Sequence, residues 1–215
     1  MRQKIIAIAT FLLLALNLSA QGKNDFTLAK NEFSISAGAG IAYMVDGIAG
    51  LSNLSKDYNN KMRFSCDYNF QIEYRISRFT IGAMVSVFNS SGSTEFTSDN
   101  IFINNYTMQL GGYWLMPNLH EVSLKTTAGW GITAYKNDSK TFGNKRHISE
   151  GSFACNISNE AGYRLSANLT ITLNAILMWS HRWDFNVTYH GQTFEAYQNF
   201  PLSKIAILAG IKYTF

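Results

Sequence analysis

The chain has 215 residues and a formal net charge of +4; 15% of its residues are charged, against roughly 25% in an ordinary soluble protein, while 14% are aromatic and two are proline. This length suits one domain, and the apolar and aromatic content excludes a disordered chain. Two of the basic residues, Arg2 and Lys4, lie in the leader, so the rest is close to neutral and its charge is no signature of nucleic-acid binding.

Arg2 and Lys4 precede an apolar stretch from Ile5 to Leu16, and Leu18-Ser19-Ala20 follows with small residues at the spacing a signal peptidase requires. Residues 1–20 therefore read as a signal peptide cut after Ala20. A retained anchor would need about 20 apolar residues, more than this core supplies. No Cys stands at the cut to take an acyl chain. No later run is apolar enough for a membrane helix, so a mature chain that enters a membrane must enter as strands.

Alternation with period two then predicts strands over 33–45, 63–76, 79–89, 102–116, 120–135, 152–165, 169–183 and 202–215. The clearest is RFSCDYNFQIEYRI, residues 63–76. Phe64, Cys66, Tyr68, Phe70, Ile72, Tyr74 and Ile76 share one face; Arg63, Ser65, Asp67, Asn69, Gln71, Glu73 and Arg75 share the other. Strands of roughly 12 to 15 residues exceed the usual five or six and suit a tilted crossing of a bilayer.

The connections alternate between long and short: 46–62, then Ser77-Arg78, then 90–100, then 117–119, then 136–151, then 166–168, then 184–201. That sorting is the pattern of an up-and-down barrel with its two ends in different compartments. The polar parity is small, with Gly38, Gly40, Gly82, Gly111, Gly129, Gly131, Gly162 and Gly210 among Ser, Thr and Asn, as the interior of an eight-stranded barrel requires. Its charges come in both signs: Asp67, Glu73, Glu121 and Glu160 against Arg75, Lys125, Arg164, Arg182, Lys204 and Lys212. Buried charges persist when paired, and Lys125 is expected beside Glu160 on the adjoining strand. The apolar parity carries aromatics near both strand ends, including Tyr43, Phe64, Phe153 and Trp179 at one and Tyr74, Phe79, Trp114 and Tyr213 at the other, the two girdles of a membrane barrel. The fold class expected is all-β, an eight-stranded antiparallel up-and-down transmembrane β-barrel.

With Ala209, Ile211 and Tyr213 leading to a terminal Phe215, the chain resembles the small eight-stranded bacterial outer-membrane barrels of the OmpX and OmpA-transmembrane-domain type. The resemblance spans roughly residues 32–215 and departs from the OmpA type in lacking a periplasmic domain after the last strand. It implies a cell outer-membrane location, with 1–20 as signal peptide, 21–31 as a short N-terminal periplasmic segment and 32–215 as barrel. It also implies that Phe215, Tyr213 and Ile211 form the signal read by the barrel assembly machinery, and that lipid and lipopolysaccharide surround the protein.

The residues offer little chemistry. Ser180, His181 and His190 are the candidates for a lipid-modifying site, but parity places Ser180 inward and His181 outward, so the two cannot readily share a proton. His120, His147, His181 and His190 are too scattered for a metal, and no cofactor is expected. The third long connection carries Lys136, Lys140, Lys145, Arg146 and His147; Lys140, Lys145 and Arg146 are candidate contacts for lipopolysaccharide phosphates at the outer rim. The fourth reads as a hairpin turning at His190-Gly191, with Phe185, Tyr189, Phe194 and Tyr197 as a candidate surface for an extracellular partner. The lumen charge network is assigned to Asp67, Glu73, Arg75, Glu121, Lys125, Glu160, Arg164 and Lys212. Cys66 and Cys155 fall on opposite walls and are expected to be free. The function expected is a non-enzymatic outer-membrane barrel with interacting loops, the alternatives being a narrow pore and an outer-leaflet enzyme acting on lipid A.

Overall fold

The computed structural model describes residues 31–46, 48, 51, 55–116, 120–189 and 191–215, without the side chains of 181–185 and 195–200. The signal peptide, nearly all of the segment 21–31, and His190 lie outside these residues. The elements are β1 (Glu32–Met44), α1 (Lys56–Met62), β2 (Phe64–Ile76), β3 (Phe79–Ser93), β4 (Thr97–Leu115), β5 (Val122–Thr141), β6 (Asn144–Arg164), β7 (Leu169–Tyr189), β8 (Gln192–Pro201) and β9 (Lys204–Thr214).

Each strand pairs antiparallel with the next from β1 to β7, and β9 pairs with both β7 and β1 to close the barrel. β8 and β9 occupy one wall position, since β7 pairs with β8 along 181–189 and with β9 along 169–178. The barrel therefore has eight walls.

The faces are those of a membrane barrel. On β2, Tyr68 and Phe70 are 52% and 48% exposed, while Asp67 and Glu73 are 0% and 3% exposed. A soluble barrel would show the reverse. Small barrels also curve tightly, and at Gly40 and Gly131 an added Cβ would fall on the carbonyl oxygens of Ile207 and Tyr106 in the neighbouring strands. Glycine there permits the close approach of two backbones.

Four features depart from the sequence reading. First, the second and third long connections are mainly strand: β3 and β4 run to a tip at 94–96, and β5 and β6 to a turn at Phe142-Gly143. Backbone pairing continues there on both polar and apolar residues, so no hydrophobic alternation marked it. Second, the first connection contains α1, capped by Ser55, whose Oγ accepts from the Tyr58 N–H at 3.3 Å, with Asp57 in the first turn and Lys61 in the last.

Third, the lumen is polar only in part. Met84, Phe88, Ile101, Ile103, Tyr135, Ile148 and Met178 pack inside it with Met44, Ile48, Leu51, Tyr58 and Met62, which come from the end of β1 and the first connection. Ile101, Phe102 and Ile103 are apolar at both parities, so alternation could not show that two of them turn inward. Fourth, between the pairs Ala154↔Ser180 and Ile148↔Val187, residues 149–153 of β6 face residues 181–186 of β7, one residue more. The extra residue reverses the parity, as a bulge does. Val187, which lies between Phe185 and Tyr189 of the expected interaction surface, therefore packs against the buried cluster.

Two outcomes test this architecture. Replacing Gly40 with Val should block folding, read as loss of the heat-dependent gel shift of the folded barrel; a normal yield of folded protein would contradict the close approach. Cys66 and Cys155 are free thiols on β2 and β6. Mass spectrometry of unreduced, alkylated protein should show both modified, and a bridge between them would overturn the strand order.

Candidate functional site

The inward positions of four strands converge on one charged cluster. Glu73 from β2, Lys125 from β5, Glu160 from β6 and Lys212 from β9 are each at most 5% exposed. Lys125 Nζ binds the Glu73 carboxylate and lies 3.2 Å from Glu160 Oε2. Lys212 Nζ binds Glu160 and lies 3.8 Å from Glu73 Oε1. Two carboxylates and two ammonium groups thus form a neutral set, which is how charge can be kept away from water. Tyr113 of β4 completes it: its hydroxyl donates to Glu73 Oε1 at 2.9 Å and accepts from Lys212 Nζ at 3.2 Å. At the end of the barrel where β1 begins and β9 ends, Arg75 pairs with Glu32 at 2.5 Å.

A second pair lies elsewhere in the lumen. Lys204 Nζ is 2.7 Å from Asp67 Oδ2, both side chains are fully buried, and the Ser86 hydroxyl donates to Asp67 at 3.1 Å. A neutral set of amides and hydroxyls joins Gln109 to Thr107 at 2.7 Å, to Thr127 at 2.9 Å and to Asn156 at 3.1 Å. Toward the opposite end, buried Asp99 accepts from Asn137 at 3.0 Å and has the Arg146 guanidinium at 3.9 Å. The Tyr58 hydroxyl of α1 stands between Asp99 Oδ2 at 3.0 Å and Gly92 O at 2.9 Å, tying the helix over this mouth.

Of the assigned lumen network, Asp67, Glu73, Arg75, Lys125, Glu160 and Lys212 are buried. Glu121 is not in it. It has the inward parity but precedes β5 at the rim, where its side chain is exposed. Arg164 ends β6 at the same rim, half-buried and bordering a small pocket of about 30 Å³ with Glu73 and Lys212. Tyr113 was missed because the aromatic reading of that strand end rested on its neighbour Trp114. Its shared parity with Gln109 and Gly111 was the available signal. Asp99 was missed because it lay in what read as loop.

The third connection separates its basic residues. Lys140 and Lys145 face each other across the β5–β6 hairpin, both exposed. Arg146 turns inward instead, its Nε donating to Ser139 Oγ at 2.9 Å. His147 bonds Asp138 at 2.6 Å, and Lys136 lies 3.2 Å from the same carboxylate. Partial burial raises the Asp138 pKa, but these two partners outweigh it and hold the carboxyl below its ordinary value.

In the fourth connection, Tyr189 and Phe194 are exposed near the hairpin turn, while the side chains of Phe185 and Tyr197 are outside the description. In the backbone register Tyr197 pairs with Asp184 and Phe185 with Ala196. Ile211, Tyr213 and Phe215 point outward, and the Phe215 ring lies 5.0 Å from Tyr213 and 5.5 Å from Phe33 of β1. Ser180 is buried and its hydroxyl pairs with that of Ser152. Among the described residues no cluster of three or more His, Cys, Asp or Glu could hold a metal ion.

Replacing Lys125 with Met leaves Glu73 and Glu160 to share Lys212. Urea unfolding in lipid vesicles should show a loss of about 3–5 kcal/mol, and adding Glu73→Gln should recover much of it. Unchanged stability of the single variant would show that Lys125 does not hold the cluster together.

No family model matches the chain, and no curated protein matches it. Solved structures share its fold. A major outer membrane protein from Thermus thermophilus is 12% identical over 86% of this chain and 100% of its own, with a TM-score of 0.61. The outer membrane protein OprG from Pseudomonas aeruginosa is 10% identical over 87% and 97%, at 0.56, and Neisserial surface protein A is 11% identical over 85% and 97%, at 0.52. With its charged lumen and apolar outer face, the chain has the fold of the small eight-stranded outer-membrane β-barrels.

Proposed function

We propose that the chain is a non-enzymatic integral protein of the bacterial outer membrane whose lumen is closed and whose long hairpins act outside the cell. The observation that carries this reading is the packing of buried side chains across the lumen at two levels. Toward the short turns lies the neutral cluster of Glu73, Lys125, Glu160, Lys212 and Tyr113. Toward the long hairpins lies the apolar layer around Phe88, Ile103 and Met178, with Tyr58 and Met62 of α1 in the same cluster. Short turns face the periplasm in such barrels, which puts the long hairpins outside.

On this reading, lipid and lipopolysaccharide contact the outward face. Phe215, whose ring packs beside β1, serves recognition by the barrel assembly machinery. Of the cations assigned to lipopolysaccharide, Lys140 and Lys145 are free to meet an anion, while Arg146 is drawn toward Ser139 and Asp99. The pairing of Ser180 with Ser152 supports a non-enzymatic reading, since a nucleophile needs a base as its partner.

The second reading, a narrow pore, is favoured by the interchangeable partners in the charged cluster, where each lysine reaches both carboxylates. Purified monomer in a planar bilayer should show no steady conductance. A stable conductance that changes with Lys125→Met would replace the closed-lumen reading with the pore.

A further inference from the structure

The tips of the β3–β4 and β5–β6 hairpins carry a feature that neither barrel stability nor lumen closure uses. Phe96 and Phe142 stack with centroids 5.2 Å apart and planes 25° apart, yet they are 53% and 73% exposed. Their backbones are joined as well, the Phe142 N–H donating to Phe96 O at 2.8 Å. Phe142 sits at φ 47° and Gly143 at φ 86° in a two-residue turn. Both positions are left-handed, the turn that favours Asn-Gly, and a bulky residue there is strained. Strain held at an exposed aromatic points to use of the ring.

Charge and shape at the same tips are consistent with one kind of ligand. Lys140 and Lys145 are register partners on β5 and β6, and like charges placed opposite each other destabilise a ladder unless an anion joins them. Two open concavities meet at Ser98, Lys140 and Gly143. One, of about 750 Å³, is also lined by Ser139, Asn144 and Thr188, and the other, of about 320 Å³, by Thr94, Thr97 and Phe142. Two acids share these walls: Asp138 lines the larger concavity but is paired with Lys136 and His147, and Glu95 lines the smaller one, while Asp99 is held by Asn137, so Lys140 and Lys145 leave the tips with an excess of positive charge. Hydroxyl and amide walls, an aromatic face and a lysine pair match the hydroxyls, the apolar C–H face and the ester anions of a charged sugar.

Height selects the source. From Ile132, an outward residue 59% exposed, to Lys140 the strand runs roughly 26 Å at about 3.3 Å per residue, or roughly 20 Å of height at a tilt near 40°. Ile132 pairs in register with Phe153 of the aromatic girdle, which marks the membrane interface, so the lysine pair stands well above the level of lipid headgroup phosphates.

We propose that Phe96, Phe142, Lys140 and Lys145 form a binding site for a sulfated or phosphorylated saccharide presented from outside the cell. This rests on the reading that the long hairpins face outward. A heparin-derived octasaccharide titrated calorimetrically into the full chain in lipid nanodiscs should bind saturably and more weakly as salt rises. Lys140→Gln/Lys145→Gln and Phe142→Asn should each weaken binding by about tenfold or more. Phe142→Asn, which suits the turn, should fold with unchanged or raised thermal stability. No saturable binding by the wild type, or equal binding by both variants, would overturn the site. So would equal binding of polyglutamate, or binding only to lipopolysaccharide-containing vesicles. Labelling Lys140→Cys on intact cells with a membrane-impermeant maleimide, in a Cys66→Ala/Cys155→Ala background, tests the orientation separately. Failure there would remove the external source while leaving the calorimetric result standing.

Discussion

In hydrocarbon a backbone N–H or C=O without a partner costs several kcal/mol, so a sheet that crosses a membrane must have no edge there. Here the closing ladder runs between β1 and β9, from Ser34↔Thr214 to Met44↔Lys204, joining strands at opposite ends of the described chain. Much else follows from closure with eight walls. The curvature brings neighbouring backbones so close at Gly40 and Gly131 that no side chain fits. The enclosed space is narrow enough for side chains to fill, and apolar groups are left to cover the outside.

A narrow interior sets its own terms for charge. Glu73, Lys125, Glu160 and Lys212 come from four different strands, and each is compensated only when the others are in place. Such a set adds little net stability over apolar packing, but losing one member strands another in low dielectric. Its effect is to make the folding of distant strands mutually dependent. At the other mouth the same space is closed by apolar packing, in which Met44, Met62, Met84 and Met178 fill irregular gaps between strands and α1. Asp99 links that layer to the hairpins through Asn137 and to the helix through Tyr58.

Beyond the membrane the constraint relaxes, because water can satisfy an open edge. Above the closed barrel β8 pairs, among the described residues, with β7 alone, while the ladders of β3–β4 and β5–β6 continue to their tips. The bulge between β6 and β7 lies near the boundary between the two regimes and turns Val187 onto the apolar layer. The hairpin tips contribute nothing to closure, and it is there that strain at Phe142 and facing lysines are tolerated.

The sequence by itself determined the crossing strands, their facing and the long–short sorting of their connections, because one face meets lipid and the other a packed lumen, and that contrast is written residue by residue along 63–76. It also pointed to the contact of Lys125 with Glu160, since adjoining inward positions are set by register. Glu121 was misplaced for the complementary reason: parity gives direction, and only the position along the barrel axis decides whether that direction is lumen or water. The tertiary structure alone decided which strands extend into the hairpins, because main-chain pairing in water needs no hydrophobic alternation. It alone decided that Tyr113 joins Glu73 and Lys212, that Lys204 meets Asp67 and that Phe96 meets Phe142, because these contacts depend on barrel closure, shear and the single extra residue of a bulge, none of which has a local signature in the chain.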